Sequence, residues 1–134
     1  MNDFRNLQVW HKAHALTLAV YRATSDFPSV ERFGLVAQIR RAAVSVPANI
    51  AESCGRRSHR DEAHLLQVAF GSACELEAEL LLARDLGYLS ADQYAPLGMD
   101  LVEAKRMLGT LARRTFERAV SHQPPAVRGA RADS

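Results

Sequence analysis

Residues 38–53 read QIRRAAVSVPANIAES. Their composition suits a helix, yet Pro47 stands inside the stretch. Polar residues also recur at a regular step: Gln38, Arg41, Ser45, Asn49 and Glu52. On a wheel of roughly 100° per residue, Leu35, Ile39, Ala42, Val46 and Ile50 fall on one side, with Val36, Ala43 and Pro47 further round. This arc predicts the core face. Ala37, Val44, Ala48 and Ala51 form a second apolar group of small side chains away from it, and the polar seam fills much of the remaining circle. A helix apolar on two sides is expected to be buried on two sides, whereas one four-helix bundle has only one core. The expected resolution is a second copy of the chain. Gln38, Arg41, Ser45, Asn49 and Glu52, with Ala37 and Ala48, would then lie at a subunit interface. Buried charges there need partners, because leaving one alone costs roughly 3–5 kcal/mol. Glu75 or Glu79 is the expected partner of Arg41. Ser45 and Asn49 are expected to satisfy the backbone freed where Pro47 interrupts the helix ladder.

Outward from this stretch the chain reads as four helices. The first runs from about Leu7 to Ser25, with Val9, Ala13, Leu16, Val20 and Ala23 on one face. The second is expected from Ser29, as N-cap, to about Cys54, with Glu31 in its first turn and Gly55 available for a left-handed cap. The third opens at Ser58 or His59 and ends at Gly87. The fourth is capped by Ser90, with Asp92 and Gln93 behind it, the acceptor-rich first turn expected of a capping box. Its apolar positions Tyr94, Leu97, Leu101, Ala104, Leu108, Leu111 and Thr115 keep heptad spacing. Short connections favour antiparallel neighbours, so the expected class is all-α, an up-down-up-down four-helix bundle over residues 1–119. The proline-bearing stretch 120–134 is expected to be a disordered tail.

The chain has 134 residues, 48% apolar and 24% charged, a globular balance for one domain. No apolar run approaches a membrane span and no signal layout opens the chain, so a cytoplasmic location without membrane attachment is expected. Cys54 and Cys74 lack CxxC spacing and read as two small buried thiols. The formal charge is only +2, but Lys12 and Lys105 are the only lysines among the 17 basic residues. Arginine suits planar, bidentate partners such as phosphate and carboxylate.

Chemistry-bearing constellations are sparse. His11 and His14, and His59 and His64, are not joined by repeated Glu-x-x-His motifs, so neither a metal nor a cofactor is expected. Glu75 and Glu79 share a helix face and are expected to meet the Arg40/Arg41 region. No nucleophile elbow or phosphate-binding glycine loop appears, so an enzyme with a small-molecule substrate is not expected. Two basic groups stand out. Arg56, Arg57 and Arg60 crowd the connection between the second and third helices, and Arg106, Arg113, Arg114 and Arg118 lie along the fourth. Repeated around an oligomer they would attract phosphate, which suggests structured RNA or a ribonucleoprotein as partner. A protein adaptor meeting acidic partners is the alternative, as is a merely solvated face with pairs such as Asp100 with Lys105. Aromatic residues do not interleave with these arginines, so base stacking is not expected.

The strings LQVWHKAHAL (7–16), FPSVERFGLVAQIRRAAVSVPANIAES (27–53) and AFGSACELEAELLLARDLGYL (69–89) carry a resemblance. Together they are similar to the bacterial four-helix bundle family that includes the 23S rRNA intervening-sequence protein and the accessory variability protein of diversity-generating retroelements. The likeness spans roughly residues 4–115. Trp10, Phe27, Pro28, Glu31, Gly34, Gln38, Arg40, Arg41, Ser45, Pro47, Asn49 and Glu52 match its pattern, as do Gly71, Ser72, Glu75 and Glu77. Ser53 stands where that family usually has glycine. The resemblance implies a four-helix bundle assembled as a ring-like homopentamer.

Overall fold

The computed structural model describes residues 3–121. Four helices follow one another: α1 (Gln8–Thr24), α2 (Leu35–Ser53), α3 (His59–Asp85) and α4 (Ala91–Ser121). Short 3-10 turns at Phe4–Asn6 and Ser29–Glu31 precede α1 and α2, and the described residues contain no strand. Each helix packs on the next, and α1 closes against α4. The result is the expected up-down-up-down four-helix bundle.

One apolar core runs through all four helices. Leu16 and Val20 of α1, Ile39, Val46 and Ile50 of α2, Leu66, Leu76 and Leu80 of α3, and Leu101 and Leu108 of α4 are fully buried. The whole predicted arc of α2, Pro47 included, is buried. On its other apolar group Ala37 and Ala51 are half-buried, while Val44 and Ala48 are exposed in the single chain. On α4 the buried seam keeps heptad spacing through Leu108, then moves to Ala112, and Leu111 is only half-buried. A straight helix of 3.6 residues per turn drifts from a repeat of 3.5 in this way.

Caps decide the boundaries. Ser58 accepts the N–H of Asp61 at 3.1 Å and opens α3. Ser90 and Gln93 exchange bonds, Gln93 N–H to Ser90 Oγ at 3.1 Å and Ser90 N–H to Gln93 Oε1 at 2.9 Å, the reciprocal box expected from the sequence. Gly87 ends α3 with φ of 83°. The N–H of Tyr88 then reaches Ala83 O, and that of Gly87 reaches Arg84 O, both at 2.9 Å.

Three expectations are corrected. α2 begins at Leu35, and Ser29 starts only a single 3-10 turn. The cause is Glu31, whose Oε1 turns back to accept the Leu35 N–H at 3.2 Å while Oε2 accepts the Tyr88 hydroxyl at 3.0 Å. A carboxylate thus sits at the positive end of α2 from outside the helix. Gly55 does not take the left-handed conformation; Gly87 is the positive-φ residue among those described. Finally, Val120 and Ser121 belong to α4 rather than to a tail, and the rest of the expected tail, 122–134, lies outside the described residues.

Candidate nucleic-acid interface

Antiparallel packing sets the C-terminus of α2, the N-terminus of α3 and the C-terminal turns of α4 at one end of the bundle. Arg60, Ala63, His64 and Gln67 of α3 and Ala112 and Phe116 of α4 line one open groove there, about 250 Å³ in volume. The two arginine groups, about fifty residues apart in sequence, are therefore brought together: Arg56, Arg57 and Arg60 with Arg113, Arg114 and Arg118. All six are exposed. Arg106 is not part of this end. It lies nearer the middle of α4, tied to Glu103 by Nε at 3.1 Å from Oε2. That bond holds the Arg106 guanidinium above, and the Glu103 carboxyl below, their ordinary pKa ranges.

The end is also where positive charge accumulates. Arg5 and Asp3 belong to it through the turn before α1. Counting them, it carries seven arginines against five carboxylates (Asp3, Glu52, Asp61, Glu62 and Glu117), while the other described residues hold eight cations against nine carboxylates. Arg56 spends its charge on Glu52, one turn back on α2. Glu52, expected in an intersubunit seam, thus finds a partner within its own chain.

Sequence reading missed Phe116. Phe116 is 51% exposed in the groove that Arg60 also lines, so an aromatic does stand among the arginines. The signal was present: Phe116 follows the buried Thr115 and falls off the core seam, between Arg114 and Arg118.

The polar seam occupies the outer side of α2 against α3. Ser45 Oγ and Ser72 Oγ are 2.8 Å apart, and Asn49 Nδ2 donates to Ser45 O at 2.8 Å and to Ser45 Oγ at 2.9 Å. These side chains therefore do not replace the bond lost at Pro47. That carbonyl, Ala43 O, is met from α1 by Thr17 Oγ1 at 3.0 Å. Further along the seam, Glu79 Oε1 is buried without a hydrogen-bond partner. Burial, then the like charge of Glu75, pushes the Glu79 carboxyl up to about 7 against the pull of Arg41. Arg41 is thus brought to the acidic face as expected, without closing an ion pair among the described residues. Gln38 and Arg41 are exposed.

Other charges serve the bundle. Arg40, expected at the acidic face, instead caps the C-terminus of α1: its Nε donates to Thr24 Oγ1 at 2.9 Å and Nη2 to Tyr21 O at 3.1 Å, with the guanidinium 4.5 Å over the Tyr21 ring. Lys105 pairs across to Glu77 of α3 at 2.8 Å, and Lys12 to Asp100 of α4 at 3.5 Å. Both lysines tie helices together, in place of an Asp100–Lys105 pair along α4. His11 Nε2 lies 2.6 Å from Arg5 O, and His14 stacks on Trp10 with centroids 4.8 Å apart. Among the described residues no three His, Cys, Asp or Glu side chains gather as metal ligands, and no helix is long and apolar enough to cross a membrane. Both cysteines are free thiols, Cys54 buried and Cys74 only half-buried.

Comparison with known proteins adds to this geometry. Residues 5–110 match the sequence profile of the family described as 23S rRNA-intervening sequence protein. A solved structure, a protein of unknown function from the S23 ribosomal protein family of Bacteroides thetaiotaomicron, is similar with a TM-score of 0.71 and 25% identity, covering 78% of this chain and 97% of that one. No curated protein matches the chain.

Proposed function

The chain belongs to the 23S rRNA-intervening sequence protein family, and from that premise we propose that it is a non-enzymatic, oligomeric helical bundle that binds structured RNA or a ribonucleoprotein through the arginine-rich end. The observation that carries this reading is the convergence of Arg56, Arg57 and Arg60 with Arg113, Arg114 and Arg118 at one end of the bundle, where Arg60 and Phe116 line one groove. The family's description, with its reference to 23S rRNA, supports the choice of RNA as the polyanion. Guanidinium groups bind phosphate in bidentate fashion and stay charged at any physiological pH. The free thiols fit a reducing cytoplasm.

Assembly strengthens the effect. In a ring of five copies, joined along the outer α2 face through Ala37, Val44, Ala48 and the seam around Ser45 and Asn49, every subunit would present its arginine-rich end on the same rim. Fields from repeated charges add, and a cationic rim would steer a phosphate backbone without reading sequence.

A salt titration of RNA binding tests the proposal. Affinity of the purified chain for a structured RNA should fall steeply with salt, and replacing Arg56, Arg57 and Arg60 together by Ala should flatten that slope. Absence of binding at low salt overturns it, and the arginines would then serve acidic protein partners.

A further inference from the structure

Phe116 is an unusual residue to leave open among arginines. The core beside it is already filled by Ala112 and Thr115, both buried, so packing within the chain does not require a ring at the surface. Its groove has a small apolar floor, Ala63 and Ala112, and a rim of three different polar heads: the Arg60 guanidinium, the His64 imidazole and the Gln67 carboxamide. None of the six lining residues is acidic. Helical spacing puts Arg113, three residues before Phe116, on the same side of α4.

A flat π surface beside hydrogen-bonding edges and flanking cations is the chemistry of an unpaired nucleobase. A duplex would present only phosphate to this end, because its bases are stacked on one another, and the ring would contribute nothing. The amide and imidazole heads can each donate or accept, which suits the edge of a base better than a phosphate, which only accepts. A cavity of about 250 Å³ admits one base and not a run of them. We infer that this groove holds a single unpaired base of an RNA, stacked on the Phe116 ring with Arg60, His64 and Gln67 at its edge. The inference rests on the proposed RNA role and narrows it: the target is RNA with unpaired nucleotides, a loop or a bulge, beside a stem whose phosphates meet Arg57, Arg113 and Arg114.

The test uses the full chain and two RNAs of equal length, a hairpin with 2-aminopurine in its loop and a fully paired duplex. The wild type should prefer the hairpin and quench 2-aminopurine emission as the base stacks. Phe116→Ala should weaken hairpin binding roughly 5- to 150-fold, the range set by loss of one base–aromatic stack. It should also abolish the quench, while leaving duplex affinity and the salt slope unchanged. Phe116→Trp should retain both preference and quench. Arg57→Ala with Arg114→Ala should lower the salt slope for both RNAs alike. If Phe116→Ala keeps hairpin affinity and quench, the stacking inference is wrong, while salt-dependent binding by the wild type still upholds the RNA role. If Phe116→Ala lowers hairpin and duplex binding equally and reduces the sedimenting mass, the ring is a subunit contact and the inference falls. Absence of binding by the wild type at low salt ends both readings.

Discussion

Thr17 Oγ1 lies 3.0 Å from Ala43 O, the carbonyl that loses its helical donor because Pro47, four residues on, has no N–H. The hydroxyl proton is shared, since Ala13 O stands 2.8 Å from the same oxygen. The proline in α2 is therefore not merely tolerated. The broken rung becomes a link between α1 and α2, made at the level where both helices bury Leu16 and Val46.

Replacing Thr17 by Val keeps the shape and removes the donor. The carbonyl of Ala43 is then left short of a partner, and the expected loss of stability is about 1–3 kcal/mol. Thr17→Ser should keep most of it. In a Pro47→Ala background the helix supplies its own N–H to Ala43 O, so the cost of Thr17→Val should shrink by about 1 kcal/mol. Urea denaturation of the four variants measures that coupling directly. Strict additivity would mean that the cross-helix bond contributes nothing.

A second link fixes the start of α2. Glu31 accepts from Leu35 N–H and from the Tyr88 hydroxyl, which ties the helix to the connection between α3 and α4. The bond to Glu31, with its negative charge, raises the Tyr88 phenol above its ordinary pKa. Ultraviolet titration should show one tyrosine ionising later than the others. In Glu31→Gln that tyrosine should return toward the ordinary value, and in Tyr88→Phe the late step should vanish. The sign for stability follows: the contribution is present at neutral pH and lost as pH rises through the folded pKa of Tyr88. Loss of the cap in Glu31→Ala should cost about 0.5–2 kcal/mol, read as a lower thermal midpoint.

These links mark the boundary of what the sequence makes legible. Helix faces, the Ser58 and Ser90 caps and the α2 core arc rest on residues within a turn or two of each other, so periodicity and capping chemistry reveal them. The true start of α2 does not, because Glu31 is held by a tyrosine 57 residues away. Nor does the fate of Ala43 O, settled by Thr17 from the preceding helix, or that of Arg40, drawn off to the end of α1. The arginine groups were visible as two local clusters. Phe116 was legible beside Arg113, Arg114 and Arg118, but that it shares a groove with Arg60 is set by the packing of α3 against α4, which no local pattern contains.

Glu79 gives the outer seam a pH dependence. Its carboxyl is pushed up to about 7 in the folded chain, from an ordinary 4.5, so the folded state holds a proton that the unfolded state has released between those values. The stability this contributes is complete below about pH 4.5 and is lost as pH rises to about 7. Glu79→Gln carries a permanent neutral head and should lose this fall. Its urea midpoint, relative to wild type, should rise between pH 5 and pH 8. Arg41→Ala removes the one opposing pull and should move the wild-type fall to higher pH. Parallel pH profiles for wild type and Glu79→Gln would show that the carboxyl stays ionised in water.

The same face offers a prediction about assembly. Val68, Ser72, Glu75, Glu79 and Leu82 follow one another at three- and four-residue steps on α3, and therefore form one stripe. Ser72 of this stripe meets Ser45 of α2, and Val44, Val68 and Leu82 are all exposed in the single chain. Exposed apolar side chains around a hydrogen-bonded Ser45–Ser72 pair and a buried, unpartnered Glu79 oxygen are the composition of an interface more than of a solvated surface. A carboxylate placed on this face would be desolvated in a subunit contact without a partner for its charge. Ala48→Glu should therefore reduce the sedimenting species from an oligomer, five copies in the reading proposed above, to one chain, with helix content preserved because Ala48 is outside the core. Ala48→Ser, small and neutral, should leave the oligomer intact. If the wild type sediments as one chain, or if Ala48→Glu assembles as the wild type does, the outer face of α2 is not where subunits meet.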